Sequence, residues 1–139
     1  MIMKVFLDSD VILDAASGRE PFVHDSKNVL NIIENGLAIG ITSPNSITNI
    51  YYILTKVSSS SKARYFIKNL LEYVHVGIAD HETILNASES KFYDFEDGVQ
   101  HFCALRNQCD YLVTRNIKDY NCSEIKILEP KEFNLLFQK

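Results

Sequence analysis

The stretch Met3-Lys-Val-Phe-Leu-Asp-Ser-Asp-Val-Ile-Leu-Asp14 decides the fold. Met3 to Leu7 is a short apolar run closed by an acid, the pattern of a buried strand rather than of a half-exposed one. Asp8 ends that strand at a position an apolar residue could occupy, which favours a functional role over an incidental one. Asp10 and Asp14 read equally well as a helix-start acid and a solvated residue. Further along, strands and helices alternate. Ser26 to Glu34 has helical spacing with Asn35-Gly36 as its stop, and Leu37 to Ile41 is a second strand. A helix follows from Pro44, with Ile47, Ile50, Tyr51 and Leu54 as its apolar stripe, and another covers Ser61 to Tyr73. Val74 to Ile78 is a strand, and helices begin at Asp80 and at Asp94. Tyr111 to Val113 and Ile125 to Leu128 are strands, and Pro130 opens a last helix through Phe137. Short strands alternating with helices imply parallel crossovers. The expected fold is therefore α/β, a three-layer α/β/α arrangement around a central parallel sheet of about four to five strands.

The length of 139 residues suits a single domain over residues 1–139. A hydrophobic content of 46% excludes a disordered or collagen-like chain. Eighteen acids against fourteen Lys and Arg give a net charge of -4, which argues against gripping nucleic acid through overall basicity. The apolar run before Asp8 is too short for a signal-peptide core, and no run approaches a membrane span, so a cytoplasmic protein is expected. Three cysteines (Cys103, Cys109, Cys122) without a CxxC pair indicate neither a disulfide framework nor a zinc site. His24, His75, His81 and His101 lack zinc-ligand spacing and read as surface or packing residues. Ser58 to Ser61 reads as a loop capping the next helix.

In an open parallel sheet, ligands bind beyond the carboxyl ends of the strands. Asp8 and Asp10 fall at the end of the first strand, and Thr114, Arg115 and Asn116 at the end of the fourth, with Asp119 close behind. Asp94, Glu96 and Asp97 open a helix, where Asp94 and Asp97 share a face. Helix capping is the competing explanation for that pair. If these three sets of carboxylates converge, their mutual repulsion calls for a hard cation. In two-metal sites such ions activate water and stabilise the leaving oxygen of a phosphodiester.

Taken in order, Phe6-Leu-Asp-Ser-Asp-Val-Ile-Leu-Asp14, Asp94-Phe-Glu-Asp97 and Asp110-Tyr-Leu-Val-Thr-Arg-Asn-Ile-Lys-Asp-Tyr120 resemble the PIN domain. That family of metal-dependent ribonucleases includes the VapC-type toxins of toxin–antitoxin pairs, and the resemblance covers essentially the whole chain. It implies that Asp8 and Asp97 hold Mg²⁺ or Mn²⁺, with Asp94 beside them; Asp119 is a further candidate ligand, and Thr114 is expected to orient a water or ligand. It further implies RNA as substrate, an antitoxin and a second copy of the chain as partners, and no membrane. Two family acids stand here as amides. Asn116 directly follows Thr-Arg, and Asn49, in Thr48-Asn-Ile-Tyr51, occupies the place of a Glu on the third helix. An amide oxygen can coordinate a cation but brings no charge. Asp119 or Asp10 would compensate. Arg115 and Lys118, beside the acids, are placed to contact substrate phosphate, and Asn49 and Asp10 are further candidate substrate contacts.

Two other readings compete. A degenerate PIN domain would bind RNA or a protein without cutting, with Lys56, Lys62, Arg64 and Lys68 as a candidate basic face, although the solvated side of amphipathic helices is the stronger explanation for these four. A phosphatase of the haloacid-dehalogenase type would use Asp8 as nucleophile and Asp10 as general acid, with Thr42 or Ser43 as its hydroxyl motif. That fold expects its later acid pair directly after a strand, not at a helix start.

Overall fold

The computed structural model describes residues 2–121 and 123–138; Cys122 lies outside them. Its strands are β1 (Lys4–Leu7), β2 (Ile39–Thr42), β3 (Val74–Val76), β4 (Tyr111–Val113) and β5 (Lys126–Leu128). The helices are α1 (Ser9–Ser17), α2 (Val23–Glu34), α3 (Pro44–Val57), α4 (Ser60–Leu70), α5 (His81–Ser88), α6 (Phe95–Arg106) and α7 (Pro130–Leu135), with a 3₁₀ turn over Ile117–Tyr120. All strand pairings are parallel, in the order β3-β2-β1-β4-β5, as the alternation of elements requires.

β1 is central, and its Val5, Phe6 and Leu7 are fully buried. Successive side chains of a strand point to opposite faces. Val5 and Leu7 accordingly join the core beneath α1, α2, α3, α4 and α7, whereas Phe6 joins Leu112 with Cys103, Ala104 and Tyr120 on the other side. Both faces are thus sealed over Val5, Phe6 and Leu7, the physical reason these three successive residues are apolar, while Lys4 opens the strand half-buried. On β2, Gly40 lets α2 approach closely, since a Cβ there would lie 2.9 Å from Ile33 Cγ2.

The first helix differs from the periodicity reading, which had no element directly after Asp8. Val11, Ile12, Leu13, Asp14 and Ala15 of α1 are all buried. A short helix covered on most sides shows no amphipathic stripe, and the period is lost. Gly18, at φ 68°, ends it in the left-handed conformation that glycine adopts without steric cost. α2 begins at Val23, three residues earlier than its apolar spacing suggested, and β2 is shifted to end on Thr42. Among the described residues no helix is long and apolar enough to cross a membrane.

β1 turns to β2 on one side and to β4 on the other. Helices leave the sheet in diverging directions at such a point and open a crevice at the strands' carboxyl ends. Asp8 follows β1 there, Thr114 follows β4, and Ser43 follows β2.

A candidate acidic active site at the sheet switch point

Asp8 follows β1 at this switch point and is buried. As N-cap of α1 it accepts the Asp10 amide through Oδ1 at 3.4 Å. Its Oδ2 accepts from Thr114 Oγ1 at 2.8 Å and from the Tyr120 hydroxyl at 3.1 Å. Thr114 Oγ1 also lies 3.3 Å from Asp10 Oδ2 and accepts the Asn116 amide at 3.0 Å. One hydroxyl proton therefore serves two carboxylates. Asn116 donates through Nδ2 to Asp10 Oδ2 at 2.8 Å. The two strand ends are joined by hydrogen bonds between their first residues, as the positions of Asp8 and Thr114 in the sequence suggested.

The late acids approach from α6. Asp97 lies one residue beyond the exposed Glu96 and is half-buried. Its Oδ1 is 3.4 Å from the same Tyr120 hydroxyl that reaches Asp8. Burial first, then the charges of Asp8, Asp94 and Asp119, push the Asp97 carboxyl up to about 7. Asp10 also rises to about 7, chiefly through burial and then through the charge of Asp8. Glu96 is raised by burial and by the charges of Asp94 and Asp8. Tyr120 is raised by burial and by Asp8 and Asp97, so it stays a phenol.

Full convergence of three carboxylate sets does not occur. Among the described residues no three His, Cys, Asp or Glu side chains stand close enough to enclose a metal by themselves. Asp94 instead accepts the Asp97 amide at 3.2 Å as N-cap of α6, the capping role weighed for it from sequence. Repelling carboxylates take local N–H and O–H donors where the chain offers them, and Asp94 has an orphan helix amide in reach. Asp119 is exposed in the 3₁₀ turn and acts on Asp97 through space. Lys118 beside it is exposed, and Asn49 lies half-buried on α3 without a hydrogen bond to the acids.

Arg115 is placed otherwise than the sequence suggested. Its Nε donates to Asp14 Oδ2 at 2.7 Å, and its guanidinium stacks 4.5 Å from the Phe22 ring centroid. Asp14 is fully buried and also meets Arg19 at 3.6 Å. A buried carboxylate needs a compensating cation, and Arg115 supplies it instead of presenting a free fork to phosphate.

Two residues that the sequence reading did not assign, Gln100 and Tyr120, complete the site. Gln100, on α6 and 1% exposed, accepts from Ser9 N at 3.3 Å and from Ser46 Oγ at 3.1 Å, and donates from Nε2 to the Tyr120 oxygen at 3.3 Å. One signal was available: Gln100 lies three residues after Asp97 and three before Cys103, a polar residue on the stripe α6 turns inward.

These residues fit a hard divalent cation. The donors are all oxygens, Asp10 Oδ1 is buried with no hydrogen-bond partner, and two carboxyls have raised affinity for a positive charge. Mg²⁺ typically takes only one or two carboxylates and keeps several waters, so a closed cage is not required. The acid pair Asp94 and Asp97 opens a helix and does not follow a strand, contrary to what the phosphatase reading needs.

A family model described as PIN domain matches residues 4–118. Ribonuclease VapC1 of Aquifex aeolicus (strain VF5) is 32% identical over 135 residues, spanning 94% of this chain and 92% of that protein. VapBC2 from Rickettsia felis, solved bound to a DNA fragment from its promoter, superposes with a TM-score of 0.70 at 13% identity, covering 91% of this chain and 98% of that one. VapBC-1 from nontypeable Haemophilus influenzae gives 0.69 at 15% identity, with 93% and 99% covered. At such identities the structural likeness is one of fold.

Proposed function

The chain belongs to the PIN domain family, and from that premise we propose that it is a metal-dependent endoribonuclease that hydrolyses RNA phosphodiester bonds as the toxin of a toxin–antitoxin pair. The observation that carries this reading is the pair Asp8 and Asp97, brought from β1 and α6 to one hydroxyl at the sheet switch point. Asp8 and Asp97 hold Mg²⁺ or Mn²⁺, with Asp10 and Asp119 adding negative charge and Asn116 an uncharged amide. A divalent cation bound there supplies Lewis-acid polarisation of the phosphate and activation of water. The chain's own residues position and screen. Thr114 aligns the Asp8 and Asp10 carboxylates, Asp94 caps the helix that carries Asp97, and Lys118 is the exposed cation for substrate phosphate. No protein nucleophile takes part. The protein works in the cytoplasm as a homodimer, with an antitoxin that covers the acidic crevice.

The direct test is cleavage of a single-stranded RNA by the purified protein. Cleavage should require Mn²⁺ or Mg²⁺ and stop on EDTA addition; full activity in EDTA would sink the reading. Cation binding with no cleavage of any RNA would instead favour the non-catalytic binding module, for which the amides Asn49 and Asn116 are the argument.

A second test uses pH. Asp10 and Asp97 sit near 7 in the folded protein, above the usual carboxylate value near 4. Between those values the folded state holds protons that the unfolded chain has released, so stability falls as pH rises through this window. The metal-free protein should melt at a lower temperature at pH 8 than at pH 5.5. Cations compete with these protons, so added Mn²⁺ should raise the melting temperature more at pH 8. Equal Mn²⁺ shifts at both values would contradict the assignment.

A further inference from the structure

The hydrogen bonds behind the acids run in one direction. Ser43 Oγ accepts the Ser46 amide at 3.1 Å as N-cap of α3 and passes its own proton to Ser46 Oγ at 2.8 Å. Ser46 Oγ donates in turn to Gln100 Oε1, which also accepts the Ser9 amide. With its oxygen occupied by two donors, the Gln100 amide has only one orientation, and Nε2 faces the Tyr120 oxygen. The Tyr120 oxygen is thereby an acceptor on one side. Its single proton must point to the other, where Asp8 Oδ2 at 3.1 Å and Asp97 Oδ1 at 3.4 Å are the acceptors.

We propose that Tyr120 is a positioning residue for the cation site, a phenol whose proton Gln100 directs between Asp8 and Asp97 so that the two carboxylates are held together for a divalent cation. The inference rests on the proposed metal-dependent function. Tyr120 belongs to the 3₁₀ turn after β4, Asp8 to the end of β1 and Asp97 to α6, so the hydroxyl ties three separate elements at one point. The ring has its own anchorage, buried at 2% exposure and edge-on to Phe92 with centroids 5.8 Å apart. Loss of the hydroxyl alone therefore leaves the packing in place and frees the two carboxylates from their shared donor. Groups that orient metal ligands in this way typically account for 10–100-fold in metal affinity.

The test is Mn²⁺ titration by calorimetry on the full chain, comparing wild type, Tyr120→Phe and Asp8→Asn, with melting in EDTA as the packing control. Tyr120→Phe should stay folded in EDTA, melting a few degrees below wild type because the buried Gln100 Nε2 loses its acceptor, yet bind Mn²⁺ about tenfold or more weakly. Gln100→Leu, which removes the director and leaves Tyr120 in place, should weaken Mn²⁺ binding in the same sense. Wild-type Mn²⁺ affinity in Tyr120→Phe, with Asp8→Asn losing it, overturns the positioning role and leaves the metal site standing. If the wild type itself binds no Mn²⁺, the functional reading falls and this inference falls with it.

Discussion

Asp8→Asn should reduce RNA cleavage by roughly 10³-fold while leaving the melting temperature in EDTA nearly unchanged. The substitution is chosen because Asp8 has two duties that chemistry can separate. Its Oδ1 caps α1, and an asparagine oxygen caps a helix about as well as an aspartate oxygen. Its Oδ2 takes the hydroxyls of Thr114 and Tyr120, and the Nδ2 that an asparagine places there can donate to them instead, since a hydroxyl also accepts. The cap on α1 is kept and the bonds to the two hydroxyls reverse direction, while the charge is lost and with it the attraction for a divalent cation. Asp8→Ala would confuse the two effects, since losing an N-cap costs about 1 kcal/mol by itself. Multiple-turnover cleavage of a labelled RNA at saturating Mn²⁺ is the measurement. Retention of more than about a tenth of the activity would show that Asp8 is no ligand, because a lost ligand removes several kcal/mol of charge stabilisation.

Arg115→Ala should unfold the protein more easily by about 3 kcal/mol, seen as a drop of roughly 10 °C in the melting temperature. Asp14 is fully buried, and removing Arg115 strands its carboxylate with Arg19 at 3.6 Å as the remaining cation. Phe22 would also lose the guanidinium stacked on it. The double variant Asp14→Leu with Arg115→Met should recover most of the loss, because replacing both members of a buried pair by apolar groups is commonly close to neutral. Urea denaturation of the two variants separates this from a role at substrate phosphate. Unchanged stability in Arg115→Ala, accompanied by a raised KM for RNA, would restore the substrate contact that the sequence suggested.

The contrast between Asp8 and Arg115 shows what a sequence carries. Asp8 was legible because it breaks an apolar run at a strand end, and the position of strand ends follows from the alternation of elements. The five parallel strands were legible for the same reason. The ion pair of Arg115 was not legible because its partner lies 101 residues away, and nothing local reveals that Asp14 is buried. Asp14 sits in α1, the helix whose full burial erased its own periodicity. Tyr120 was hidden by its setting in Lys118-Asp-Tyr, a segment with neither helical nor strand pattern, so its burial depends wholly on tertiary packing against Phe92 and Gln100. Asp94 and Asp97 were located correctly at a helix start. The sequence left open which of them caps and which faces the crevice, since both carboxylates lie within one turn.

The central position of β1 has a consequence for synthesis on the ribosome. The strand precedes the other four in the chain, yet Val5 pairs with Tyr111, and Asp8 meets Thr114 across a separation of 106 residues. Pairings so distant in sequence close late, after the local helices and the β1–β2 crossover. A nascent chain thus presents Asp8 well before Asp97, Thr114 and Tyr120 have been made. The acidic site is therefore assembled only after β4 and the 3₁₀ turn have followed β1 out of the ribosome and joined it.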